Sequence, residues 1–373
     1  MADLSPLTWF ARPGARSWTC APIPGGARDF HRSLPGYAPT ALTELPALAA
    51  ELGVRRLFVK DESSRLGLPA FKILGASWAV HRALATRAAS GGEPALTLLT
   101  ATDGNHGRAV ARVARLLGQR AHVFVPSGVH PDAVVAITAE HAEVTPVTGS
   151  YDEAVAQAAE AAQAGGPAAI LIQDTAWPGY EQIPGWIVEG YATLCAEIDE
   201  QLAAAGAGPP HLVVIPVGVG SLAQAVVTHY RSRPSGTPPA LLAVEPTAAS
   251  WVIESLTRGE PVSVATGETI MAGLNCGTPS STAWPVLASG LDAAVAVTDA
   301  ESARATRDLA ALGIPAGPCG AAPLAGLRAA LTGDSDGDGA GQRRAGLALG
   351  PAATVVLLST EGTAANPHGR PDR

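Results

Sequence analysis

The chain lacks the features that would send it to several common destinations. Its four cysteines, Cys20, Cys195, Cys276 and Cys319, are scattered through 373 residues with no CxxC pair. That spacing offers neither a zinc site nor a secreted disulfide framework, so no metal and reduced, intracellular thiols are expected. A basic stripe is also missing. With 25 Lys and Arg against 33 Asp and Glu, a net charge of −8, the chain has no counterion-releasing surface for nucleic acid. The opening MADLSPLTWFARPGAR has no unbroken apolar core, and no later run reaches the roughly 18 apolar residues of a membrane span. These absences predict a cytoplasmic protein with no nucleic-acid or membrane partner. No internal repeat is evident.

What is present is a large buried-core composition, 47% hydrophobic and 16% charged, at a length that predicts two lobes. The 41 Gly and 31 Pro lower the information in any lone glycine motif. Apolar stretches bounded by Gly or Pro alternate with Ala-rich amphipathic stretches, the α/β pattern of parallel strands and crossover helices. Strands are predicted at 56–60, 96–100, 121–126, 143–147, 169–173, 211–217, 241–245, 294–297 and 354–359. Helices are predicted at 75–89, 106–117, 151–163, 183–204 and 221–229. The stretch LTGDSDGDGAGQRRA, 331–345, is poor in apolar residues and reads as a mobile surface loop; its DSDGDG lacks the closing Glu of a calcium loop. The tail from His368 is expected to fray.

Three segments carry chemistry. In KDESSRLGLPAFKILGASWAV, 60–80, Lys72 stands between Phe71 and Ile73 ahead of a helix. A Schiff-base lysine must be held in place and partly deprotonated, which a semi-buried apolar site favours; a snorkelling helix-end lysine would look the same. In LLTATDGNHGRAVA, 98–111, small residues let a planar ring approach the backbone and Asn105 offers donor and acceptor, although Asp103 or Asn105 could equally cap the next helix. In HLVVIPVGVGSLAQAV, 211–226, an apolar strand runs through Gly218, Val219, Gly220 and Ser221 into a helix, a nest of amides suited to a phosphate or simply a strand-to-helix turn. His106 alone reads as structural. Cys276 reads as a packing residue, and Glu245 either ends near the ring or merely terminates its strand.

In this order the segments resemble the fold-type II pyridoxal-phosphate (PLP) enzymes, and within them the diaminopropionate ammonia-lyase family. FHRSLPGYAPTAL (30–42), QDTAWPGYEQIPGWIVEGY (173–191), ETIMAGLNCGTPS (268–280) and LLSTEG (357–362) are similar to its segments as well. The resemblance implies two open, twisted, mostly parallel sheets flanked by helices, with PLP in the interdomain cleft. It implies a large domain of residues 1–92 plus 173–373, a small domain of 93–172, and a homodimer. Carried over, Lys72 joins the cofactor beside Phe71, Asn105 meets the ring hydroxyl, Gly218, Val219, Gly220 and Ser221 hold the phosphate, and Ser359, with Thr360, meets the pyridine nitrogen.

The implied reaction is α,β-elimination of D- or L-2,3-diaminopropionate through aminoacrylate to pyruvate and ammonia. Lys72 serves as base for the L form and Asp174 for the D form, and Asp103 binds the β-ammonium. Without the family, Asp174 reads as a helix-capping or turn acid. Two departures bear on substrate choice: GPCGAAPLAGL, 317–327, lacks the acid of the family's Glu-Ser-Gly-Ala run, and STEGTAANP, 359–367, lacks the aspartate after STEG. The rivals are a serine or threonine dehydratase-like or β-replacement enzyme acting on another small amino acid, and a silent binding protein that keeps the fold.

Overall fold

The structure is a computed structural model that describes residues 8–89, 91, 95–233, 236–332 and 339–365. Its strands are β1 (Trp9–Ala11), β2 (Leu42–Glu44), β3 (Arg56–Asp61), β4 (Thr97–Ala101), β5 (Arg120–Pro126), β6 (Glu143–Val147), β7 (Ala169–Leu171), β8 (Leu212–Pro216), β9 (Ala240–Pro246), β10 (Ala293–Val297) and β11 (Thr354–Ser359). The helices are α1 (Ala27–Ser33), α2 (Pro46–Glu51), α3 (Ile73–Ala89), α4 (Asn105–Leu116), α5 (Pro131–Thr138), α6 (Tyr151–Ala164), α7 (Gln182–Ala204), α8 (Ser221–Arg231), α9 (Trp251–Arg258), α10 (Ala283–Gly290), α11 (Asp299–Ala311), α12 (Pro318–Leu331) and α13 (Gly339–Gly346).

Two sheets result, in the orders β1-β10-β9-β8-β11-β3-β2 and β6-β5-β4-β7. The second is wholly parallel; the first is parallel except for its edge strands β1 and β2. The reason is visible in the residues. LVVIP of β8 and TVVLLS of β11 are buried at every position, as strands with helices on both faces must be. Each such aliphatic side chain contributes at most about 1.5–3 kcal/mol by leaving water. The α/β expectation and the two mostly parallel sheets are therefore met.

Two expectations need correction. The stretch 331–345 is not a loop throughout: Leu331 is the buried last residue of α12, and 339–345 lie in α13. Side chains that composition could not place hold this helix. Arg343 Nε donates to Ala330 O at 2.9 Å and Arg344 Nη2 to Leu52 O at 2.6 Å, while Leu347 and Leu349 are buried just beyond it. Residues 333–338 and the tail from His368 lie outside the described residues. The strand expected at 169–173 stops at Leu171: the Ile172 amide makes a last bond to Leu99 O, and beyond it the Gln173 side chain, not its backbone, takes the Ala101 amide.

Candidate active site

Four strand ends converge on one cleft. The carboxyl ends of β8 and β11 in the large sheet face those of β4 and β7 in the small one, and the segments after them line a shared cavity. Ligands of open α/β sheets sit outside such carboxyl ends. Lys72, Phe71, Asp103, Asn105, Asp174, Gly218, Val219, Gly220, Ser221 and Thr360 all line it. Ser359, at the end of β11, is fully buried and absent from the lining.

Lys72 lies one residue before α3, with Nζ 2.5 Å from Asp174 Oδ2 and 5.3 Å from the Phe71 ring centroid. It is one of only two lysines in the chain. The other, Lys60, is spent: it is buried in β3 and donates to Thr40 O, Glu197 Oε2 at 2.6 Å and Gln201 Oε1. Burial was expected to keep Lys72 partly deprotonated, and the structure corrects this. Burial does pull its pKa down, but the charges of Asp174 and Asp103, the Tyr191 phenol and the Asp174 hydrogen bond together raise it. Asp174 answers in kind: burial pushes its carboxyl up, Lys72 and His106 outweigh that, and it falls to about 2.

The capping alternatives fail on geometry. Thr102 Oγ1 accepts from the amides of Gly104 at 2.9 Å and Gly107 at 3.0 Å, so the α4 turn is tied by a hydroxyl and the side chains of Asp103 and Asn105 are left to the cavity. The N-cap of α7 is Glu181, and no side chain caps it, so Asp174 does not cap that helix. Asp103 is pushed up to about 7, chiefly by burial, with the Asp174 and Glu361 charges adding and Lys72 opposing. His106 Nε2 lies 2.7 Å from Ile172 O, so Nε2 carries the proton and Nδ1 faces Asp174 Oδ2 at 3.9 Å. Its pKa is lowered, mainly by burial, and a neutral, structural ring follows. Gln173 pins the segment, accepting from Ala101 N at 2.9 Å and donating to Tyr151 Oη at 2.7 Å.

At the phosphate-type loop, Gln224 is the residue whose amide reaches back to Gly220 O, at 2.8 Å; by helix geometry the amides ahead of it have no carbonyl within α8. Glycine is required twice. A Cβ on Gly218 would stand 2.7 Å from Gly273 O, and Gly220 has φ +103°. The Ser221 hydroxyl donates to Asp174 O, so only the amide of Ser221 is left for an anion. Glu245 settles as a structural acid: its carboxylate accepts from the amides of Val252 and Ile253. Cys276 lines the cavity as a buried thiol raised by burial, which makes it a poor nucleophile.

Sequence reasoning missed Thr102, Tyr151, Cys319 and Glu361, all of which line the cavity. Glu361 accepts from Asn105 Nδ2 at 2.6 Å and from Cys319 N at 3.2 Å. Thr102 left a usable signal, a hydroxyl two residues before a glycine at a strand end.

The residues fit PLP on the structure's own terms. There is one available lysine at the cavity, a loop of amides at a helix start, and a buried Ser359 hydroxyl with no hydrogen-bond partner among the described residues. The comparisons agree. Residues 34–340 match the model of the family described as "Pyridoxal-phosphate dependent enzyme". Diaminopropionate ammonia-lyase of Salmonella typhimurium is 39% identical over 302 residues, 76% of this chain and 74% of the relative. That of Escherichia coli K12 is 36% identical over 92% of this chain and 89% of its own. The solved structure of Escherichia coli diaminopropionate ammonia lyase in complex with an aminoacrylate-PLP azomethine reaction intermediate superposes with TM-score 0.84 at 36% identity, over 92% of this chain and 89% of that one. The chain thus belongs to the pyridoxal-phosphate dependent enzymes of fold type II, within the diaminopropionate ammonia-lyase family.

Proposed function

We propose that this chain binds PLP through Lys72 and eliminates the β-amino group of 2,3-diaminopropionate, releasing pyruvate and ammonia. The observation that carries it is the contact of Lys72 Nζ and Asp174 Oδ2 at 2.5 Å in a cavity that also holds Asp103. The cofactor, when bound, supplies the electron sink that makes the Cα proton removable. Gly218, Val219, Gly220 and Ser221 would hold its phosphate through their amides, Asn105 would meet its hydroxyl, and Ser359, with Thr360, its ring nitrogen.

The remaining work falls to the chain's own groups. Asp174 is a weak base only while the Lys72 ammonium stands beside it. Once Nζ gives up its proton, the main influence holding that carboxyl down is gone and burial raises its proton affinity. Lys72 then serves the L substrate and Asp174 the D substrate as proton acceptor. Asp103 holds the β-amine in its ammonium form, so that when the Cβ–N bond breaks the bonding pair goes to nitrogen and neutral ammonia leaves with no further proton required. A serine in the same place leaves that buried acid without a cation, which disfavours the dehydratase reading.

We place the cofactor between a large lobe, 1–92 plus 173–373, and a small lobe, 93–172, whose closure would exclude water. The homodimer rests on the family resemblance. Cys20, Cys195, Cys276 and Cys319 are free thiols, which suits a reducing cytoplasm. No described helix is long and apolar enough to cross a membrane.

Pyruvate release from D- and L-diaminopropionate, set against D- and L-serine, tests the reading. Diaminopropionate is expected to turn over faster in at least one enantiomer. Faster turnover of serine would replace it with the dehydratase reading. Bound cofactor with no ammonia released from any small amino acid would replace it with a silent binding protein.

A further inference from the structure

Glu361 is a buried carboxylate in the cavity wall that the scheme above does not use. It follows β11, and three separate parts of the fold close on it. From the small-sheet side, Asn105 Nδ2 donates to Oε2 at 2.6 Å. From α12, the Cys319 amide donates to Oε1 at 3.2 Å, and the Gly317 amide donates to Glu361 O at 2.9 Å. From the lysine-bearing segment, Ala70 pairs with Glu361 in an antiparallel bridge, and Phe71 N donates to Thr360 O.

The packing is close enough to forbid side chains. A Cβ on Gly317 would stand 3.1 Å from Glu361 Oε1, and one on Gly320 would stand 2.5 Å from Glu361 O. The N-cap of α12 is Gly317, which has no side chain to cap with. Glu361 does this from the segment after β11, so its Oε1 is fixed by the helix start and its Oε2 is left facing Asn105.

We infer that Glu361 is a positioning residue for the cofactor, acting through Asn105. A carboxylate can only accept, so it takes one N–H of the Asn105 carboxamide and fixes which way that group faces, leaving its second N–H and its carbonyl oxygen at set positions. The carboxamide would otherwise be free to turn over, because its two ends have nearly the same shape. Glu361 thereby fixes the orientation in which Asn105 meets the cofactor's ring oxygen, and it ties that choice to α12 and to the Lys72 segment. This inference rests on the reading of the cavity as a PLP site.

The test uses apoprotein of the wild type, Glu361→Gln, Asn105→Ala and the double variant. Each is titrated with PLP, and the dissociation constant and the visible absorbance band of the lysine-bound cofactor are followed against pH. Each single change is expected to weaken binding at least tenfold and to shift the band or its titration midpoint. The double variant should bind no more weakly than Asn105→Ala, since the two residues act as one unit. Binding by Glu361→Gln within twofold of wild type with an unmoved band would overturn the inference. Losses that multiply in the double variant would do the same, because they would mean Glu361 only caps α12. Should Glu361→Gln fail to fold, Glu361→Asp replaces it under the same criteria, keeping the charge but falling a methylene short of one partner. Failure of the wild type to take up PLP on Lys72 would sink the cofactor reading itself, an outcome distinct from the others.

Discussion

At the residue scale, the decisive fact is that the chain has two lysines and that buried ionic chemistry has removed one. Lys60 and Arg65 neutralise Glu197 and Glu62 in a fully buried cluster, so borohydride reduction of the loaded protein should label the peptide carrying Lys72 and leave that of Lys60 unmodified; label on Lys60 would refute the assignment. Asp174 supports a second prediction. Asp174→Asn removes the acceptor proposed for the D substrate, and kcat/KM for D-diaminopropionate is expected to fall by roughly 10²–10⁴-fold, the usual worth of a general base, with the L form reduced far less. Equal losses on both would contradict a two-base scheme. Lys72, Asp103 and Asp174 were legible in sequence because each stands in a motif whose neighbours are as particular as itself. Glu361 was not: a glutamate between Thr360 and Gly362 carries no sign that a helix start and an amide from the other sheet will enclose it.

At the element scale, legibility followed the local residue pattern, which is strongest in the buried strands but also marks the only partly buried β6. β8 and β11 announce themselves as apolar runs because both faces are covered, whereas β1 and β2 are three-residue edge strands defined only by their antiparallel partners, β10 far along the chain for β1 and the next strand β3 for β2, and no local pattern marks them. The crossing of α3 and α7 is likewise invisible in one dimension. There Gly190 meets α3 so closely that a Cβ would lie 2.5 Å from Leu74 O and 2.8 Å from Gly75 Cα. Both obstacles are backbone, so neither can turn aside. Gly190→Ala is therefore expected to destabilise by about 1–3 kcal/mol, as overpacking does, and to weaken PLP uptake because α3 begins next to Lys72. Gly185, in the same helix, has nothing within 4 Å of its would-be Cβ. Gly185→Ala should instead be neutral or stabilising by up to about 1 kcal/mol. Urea unfolding of both apoproteins is the measurement, and similar midpoints for the two would show that the crossing tolerates side chains.

At the scale of the whole molecule, the buried titratable groups of both sheets act together on stability. Burial raises Asp103 to about 7 and Glu245 to about 8, and it raises Glu361 as well. A carboxyl whose folded pKa lies above its unfolded value favours folding fully below the unfolded value, and that contribution is lost as pH rises through the folded one. His31, lowered to about 4 chiefly by burial, and His106, lowered for the same reason, have the opposite sense: their contribution is present above about 6.5 and lost as pH falls. Between about pH 4 and 6.5 the acids and the histidines therefore oppose one another. Above 6.5 the histidines are neutral in both states and only the acids still titrate. The apoprotein melting temperature is accordingly expected to fall between about pH 6.5 and 8. Glu245 gives the cleanest check, because its carboxylate meets the amides of Val252 and Ile253 at the start of α9 and it does not line the cavity. Glu245→Gln removes the ionisation while keeping one acceptor for those amides, so it should flatten the decline near pH 8 and leave the pH profile of diaminopropionate turnover in place. Asp103→Asn should flatten the decline below about pH 7 and move the activity profile too. Scanning calorimetry across this interval decides it: a flat or rising melting temperature, or a slope near pH 8 that survives Glu245→Gln, would mean that these acids do not reach ionisation at the cost their burial implies.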